Sequence, residues 1–287
     1  MPKIAKQVSN TSVSKVGNGK ASGILGSIVP ISELPESGIK MLVTGPSGTG
    51  KTTLACSAPK PLLLIRPEQI EDGTQSVSNI PGIFCPDALT VDSQLDELIS
   101  HQEDTKKYKT IVLDGVQFFQ DLVLKRVLGL KEVPAQLSWG VADQQDWGTV
   151  AAEFKEFMRR LFRLAEDPIR THIIITGGER TINDKDGSLI PPSIVVALTP
   201  SAAGWLNFVS DYIICTCVRP KMVKKTIKVG TKDTEIEQRG EGMDFCARCI
   251  LNEVYTAKFR VPKGTPLPEF VVDPTWDKLY AFIKGSR

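Results

Sequence analysis

No apolar run in this chain approaches the roughly 20 residues that a bilayer-spanning helix needs, so the sequence argues against a membrane protein or a membrane partner. Cysteine is sparse, six in 287 residues, and too scattered for a disulfide framework. With no secretory leader at its start, the chain is expected in the cytoplasm with its thiols reduced. An excess of one charge is also missing. Lys and Arg total 35 against 33 Asp and Glu, a formal net charge of +2, so any surface for a polyanion has to be local. Only two histidines occur, His101 and His172, far apart, and we expect structural roles for both. What is present, 41% hydrophobic and 24% charged residues, suits one large α/β domain with an appendage.

Residues 1–28 are rich in Ser, Gly, Asn and Lys without periodicity and read as a flexible N-terminal arm. From 29 to 218, short apolar runs alternate with helical patterns. "GIKMLVTG", "PLLLI" (61–65), "KTIVLDG" (109–115), "HIIITGG" (172–178) and "DYIICTC" (211–217) read as buried strands. "VDSQLDELISHQ" predicts a helix capped by Ser93, with Asp96 at the acidic position of a capping box. Between Asp146 and Pro168, the residues Val150, Phe154, Phe157, Leu161 and Leu164 form one apolar stripe, predicting an amphipathic helix. Such alternation predicts a mostly parallel sheet flanked by helices. From 219 to 287 the pattern changes: a β-hairpin over "KMVKKTIKVGTKDTEIEQRG", a strand over "EVYTAKFRVP", then a closing helix with Pro274 in its first turn and Gly285 past its end.

The strongest chemical signal is "GPSGTGKTT", Gly45, Pro46, Ser47, Gly48, Thr49, Gly50, Lys51, Thr52 and Thr53. It matches the phosphate-loop pattern in full and lies between a predicted strand and a predicted helix. Glycines let backbone N–H groups turn toward phosphate oxygens, and the following helix adds its positive end. Lys51 is placed to reach the terminal phosphates of ATP, and Thr52 to offer its hydroxyl to Mg²⁺. A carboxylate for the metal's outer coordination is expected at a neighbouring strand tip, and Asp114, ending "TIVLD", fits.

Taken together, "GPSGTGKTTLA", "EDGTQSV" after the second strand, "TIVLDGV", the "DW" opening the amphipathic helix, "IIITGGER" and "AKFRVPKGTPLP" resemble phage-encoded RecA-like ATPases of the single-strand-annealing and recombination group. The resemblance covers roughly residues 39 to 273 and implies a RecA-like P-loop NTPase core with a C-terminal hairpin extension. In that class the water-activating glutamate follows the second strand. This points to Glu68, with Glu71 as its rival, because Gly115 stands where AAA+ ATPases usually keep a glutamate. The resemblance makes Thr176 a polar sensor of water or γ-phosphate. Glu179 and Arg180 after it either couple nucleotide state to a partner surface or are loop charges. Lys258 and Arg260 match a Lys-x-Arg pair that reaches the neighbouring subunit's γ-phosphate. That implies a homo-oligomer, ring or filament, with active sites between protomers. The implied function is ATP-dependent binding of single-stranded DNA, promoting annealing or homologous recombination, with a single-strand DNA-binding protein as a further partner.

Alternatives from other classes are a DnaB-like helicase or translocase, a small-molecule phosphotransferase, and a nucleotide-gated scaffold. The length leaves little room for a helicase's extra domain, and the chain lacks the arginine-rich lid of small-molecule kinases. For DNA itself, Lys221, Lys224, Lys225, Lys228 and Lys232 crowd the predicted hairpin, although Glu235, Glu237 and Glu241 follow and can pair with them. Trp139 is a candidate stacking platform for bases. Cys215, Cys217, Cys246 and Cys249 could hold zinc only if the hairpin folds back, and ordinary packing is the expectation.

Overall fold

The structure, a computed structural model, describes residues 36–67, 77, 79–129, 142–182, 192–229 and 232–285, without the side chains of 227–229, 232–234 and 237. The N-terminal arm expected at 1–28 therefore lies outside the described residues, as do Glu68, Glu71 and Trp139. Every element belongs to one unit, Ser37–Arg287.

Ten strands and seven helices follow one another among the described residues. They are β1 (Lys40–Thr44), α1 (Lys51–Cys56), β2 (Leu62–Pro67), β3 (Gly82–Cys85), α2 (Ala88–Ser100), α3 (Gln102–Thr105), β4 (Thr110–Leu113) and α4 (Val116–Val127). Then come α5 (Gln144–Arg163), β5 (His172–Gly177), β6 (Glu179–Ile182), β7 (Ser193–Val196), α6 (Pro200–Val209), β8 (Tyr212–Val229), β9 (Lys232–Arg248), β10 (Phe270–Val272) and α7 (Trp276–Ile283).

Eight strands form one sheet in the order β10-β9-β8-β1-β5-β4-β2-β3. β8, β1, β5, β4, β2 and β3 run parallel, while β9 and β10 add antiparallel pairings at one edge. The two-residue period of each strand sorts its side chains into two layers. Leu42, Ile65, Leu113 and Ile175 pack with α2, α4, α5 and α6 on one face. Met41, Val43, Leu64, Val112 and Ile174 pack with α1 and α7 on the other. None of the helices among the described residues is long and apolar enough to cross a membrane.

Local signals explain most boundaries, with corrections. The stripe Val150, Phe154, Phe157, Leu161 and Leu164 is buried as expected. Its helix starts earlier, because Asp143 and Asp146 form a reciprocal capping box. Ser93 does not cap α2. Asp87 does, accepting from the Thr90 N–H at 2.8 Å, while Ser93 lies mid-helix and donates to the Leu89 carbonyl. The aspartate beyond Pro86 captures the free N–H groups first, adding a turn to the helix. Pro274 precedes the cap of α7, Thr275, rather than entering the first turn.

The C-terminal hairpin forms, but as a continuation of the sheet: the strand expected at 211–217 and the hairpin's first arm are the single strand β8. A register shift at Pro220/Met222, where proline cannot donate to the ladder, separates its rooted half from a distal half that pairs only with β9. No strand forms over 253–262; the segment makes only the isolated bridges Ile194↔Tyr255 and Ile213↔Lys258.

Candidate nucleotide site

β1 delivers the glycine-rich loop to the C-terminal edge of the sheet, and α1 leaves from it. At Gly45 the chain passes so close to β8 that a Cβ would lie 2.3 Å from the Thr216 hydroxyl and 2.5 Å from its carbonyl oxygen. Gly50 takes φ +83° and caps α1 without a side chain, which leaves the helix's first N–H groups directed at the loop's concavity. The Thr49 and Thr216 hydroxyls lie 2.7 Å apart, and Thr216 lies 3.1 Å from the Thr44 carbonyl, fastening the loop's underside to β8. Lys51 arches over the loop and donates to the Pro46 carbonyl at 2.6 Å.

Below the loop, β4 and β5 bring two more groups into register. Asp114 is buried and accepts from the Thr52 hydroxyl at 3.0 and 3.2 Å. It also accepts from the Thr176 hydroxyl at 2.6 Å, and Thr176 in turn accepts from the Gly115 N–H at 2.9 Å. The Thr176 hydroxyl thereby donates to Asp114 and accepts from the neighbouring Gly115 N–H, with one acceptor lone pair still to spare. The threonine expected to sense phosphate thus also holds the carboxylate, and it lines the cleft above.

A cleft of about 380 Å³ opens above these groups, lined by Ser47, Lys51, Thr52, Asp114, Gln117 and Phe245 among others. A larger cavity of about 930 Å³ beside α5, α6 and β7 contains none of the phosphate-loop residues. The smaller cleft is therefore the candidate nucleotide site, since the loop's donors and the carboxylate converge there. Three of its residues carry no motif signal: Gln117, Phe118 and Phe245. Gln117, in the first turn of α4, accepts from the Gly178 N–H at 3.1 Å and so joins the β4 and β5 tips. Phe245 arrives on β9. Gln117 could have been suspected from its place two residues after Gly115; Phe245 had no local signal.

Glu179 begins β6. Burial raises its carboxyl pKa against the opposing pull of Lys51. One of its oxygens is buried without a hydrogen-bond partner among the described residues, and so is Nε of Arg180, which lines the larger cavity. Strand alternation sends these neighbours to opposite sides of β6.

Lys258 and Arg260 lie at the opposite edge of the sheet, where β8 begins. Lys258 donates to the carbonyls of Asn207 (3.4 Å), Phe208 (3.1 Å) and Ser210 (2.5 Å), closing the C-terminal end of α6. Arg260 is mostly exposed, 3.9 Å from Asp211. On the hairpin, Lys221, Lys224 and Lys225 are exposed, and Lys224 pairs loosely with Glu235 at 3.7 Å. Lys221 falls at the register shift, and alternation puts Lys224 and Lys225 on opposite faces of the ribbon. Lys228 contributes only its backbone to the description. Cys217 lies opposite Cys246. Burial pushes Cys215 up to about 11 and Cys249 to about 12, which keeps both thiols protonated. Among the described residues no cluster of three metal-ligating side chains occurs.

A phosphate loop at the tip of a parallel sheet, with a threonine–aspartate pair beneath it, defines a P-loop nucleotide-binding domain of the ATPase type. The chain belongs to the family described as AAA domain, which matches residues 37–214 and so includes the loop, Asp114 and Thr176. No curated protein matches the chain.

Proposed function

We propose that this protein is a RecA-like, Mg²⁺-dependent ATPase that acts as a homo-oligomer on single-stranded DNA, promoting annealing or homologous recombination. The observation that carries the hydrolase reading is the contact between the Thr52 hydroxyl and the Asp114 carboxylate, 3.0 and 3.2 Å, at the uncapped start of α1. These oxygens suit a divalent cation, and the loop's N–H groups with Lys51 suit a triphosphate; bound Mg·ATP would supply the cleavable phosphoanhydride. Glu68, directly after the last residue of β2, is our choice for the carboxylate that orients the attacking water, with Glu71 the alternative.

The DNA reading rests on the family resemblance and on the exposed lysines of the distal hairpin, whose contacts with phosphates would be independent of sequence. In an oligomer Arg260, exposed and weakly paired, is the side chain available to a neighbouring site, whereas Lys258 is engaged with α6.

The test is ATP hydrolysis measured without polymer, with single-stranded DNA and with duplex, on the wild type, Lys51→Ala and Glu68→Gln. We expect stimulation by single strands alone and loss of turnover in both variants. Turnover that is indifferent to DNA would overturn the DNA reading, and turnover surviving Lys51→Ala would overturn the site.

A further inference from the structure

Phe245 has no part in phosphate chemistry, yet its ring lines the phosphate cleft while 46% exposed. The placement is built in. β9 holds residue 245 opposite Val218, and the Phe245 carbonyl accepts the Asp273 N–H at 2.7 Å. Alternation puts its side chain on the same face as Ala247, which is buried in the layer containing α1 and α7. The ring therefore overhangs the start of α1: its Cδ1 is 3.9 Å from where a Cβ on Gly50 would sit.

Nearby rings are engaged by cations. Arg219 lies over Phe270, and Arg248 over both Tyr255 and Phe270. Among the described residues Phe245 makes no such contact. The negative face of an aromatic ring is a poor partner for phosphate oxygens but a good one for the flat face of a base. Resting on the nucleotide reading above, we propose that Phe245 is the nucleobase platform of this site, stacking on the base while the loop holds the phosphates. A platform of this kind reads area rather than hydrogen-bond edges, so it favours purines over pyrimidines.

The experiment is calorimetric titration of the full chain, with Mg²⁺, using a non-hydrolysable ATP analogue and, separately, inorganic tripolyphosphate, which has phosphates but no base. Phe245→Ala should weaken the analogue roughly tenfold, equivalent to ~1.4 kcal/mol. Phe245→Trp should retain wild-type affinity, and tripolyphosphate should bind all three proteins alike. Unchanged analogue affinity in Phe245→Ala overturns the proposal. Equal weakening of both ligands also overturns it, because the ring then only shapes the loop. If the wild type binds tripolyphosphate as tightly as the analogue, the base adds nothing and the platform fails while the phosphate site stands. If the wild type binds neither ligand, the nucleotide reading itself falls.

Discussion

Replacing Thr176 by valine keeps the shape of the side chain and removes the one hydroxyl that ties β5 to Asp114. Thr176 is 1% exposed, and its hydroxyl donates to the carboxylate at 2.6 Å and accepts from the Gly115 N–H at 2.9 Å. A hydrogen bond to a charged group contributes about 1.5–3 kcal/mol, and leaving a buried N–H unsatisfied costs about 1–3 kcal/mol. The two bonds share one oxygen and do not add fully, so we expect Thr176→Val to lose about 2–4 kcal/mol in urea denaturation. Thr176→Ser keeps both bonds and loses a methyl group, which predicts a loss of about 1 kcal/mol. Because Asp114 would then be less well held, hydrolysis by Thr176→Val should also need more Mg²⁺. A valine variant within about 0.5 kcal/mol of wild type would refute the reasoning, as would a serine variant as damaged as the valine one.

Gly45→Ala drives a Cβ to 2.5 Å from a backbone carbonyl, whereas Gly48→Ala meets open space and only the strain of φ +75°. Denaturation should show the first costing at least about 2 kcal/mol more than the second, whose own cost is roughly 1–2 kcal/mol. His172 accepts the Ile39 N–H at Nδ1 (3.0 Å), and burial, aided by the charges of Lys109 and Lys284, lowers its pKa from 6.5. The unfolded chain therefore binds this proton more readily, so stability is full above pH 6.5 and falls as pH drops below it; His172→Gln should flatten that acid limb in pH-dependent unfolding. Lys258→Met removes the donor to three carbonyls at the end of α6 while keeping the stem, and should cost about 1–2 kcal/mol with kcat per folded protein unchanged. Lost turnover at wild-type stability would instead show that Lys258 serves a neighbouring active site.

The parallel core was legible because its signals are local. β8, β1, β5, β4 and β2 each bring a run of apolar residues buried on both faces, whereas the edge strand β3 is largely exposed and carries no such run. The stripe ending at the α5 C-cap, Leu164, has a single physical meaning. The failures came where two local signals competed. Ser93 and Asp87 are both acceptable caps, and nothing in the sequence says that the turn beyond Pro86 will be helical. The alternation of Lys258 and Arg260 looks like a strand, yet Lys258 is drawn away by the unsatisfied carbonyls of α6, an attraction visible only once α6 and β8 are in place.

The site divides in the same way. Lys51, Thr52 and the loop glycines were readable because one segment contains both the turn and the helix that give them meaning, and Asp114 because buried strands in α/β sheets end at the ligand edge. The walls were not readable. Thr216 meets Thr49 across 167 residues, and Phe245 reaches the cleft only because β8 runs unbroken into a hairpin that folds back as β9. Neither residue type advertises such a role: a strand threonine and a strand phenylalanine are ordinary β-formers. Their meaning comes from register. Shifting β9 by one residue would turn Phe245 to the opposite face and bring Cys246 or Asp244 over Gly50 in its place. The pairing Val218↔Phe245, set inside the bulge at Pro220/Met222, therefore determines which side chain faces the cleft.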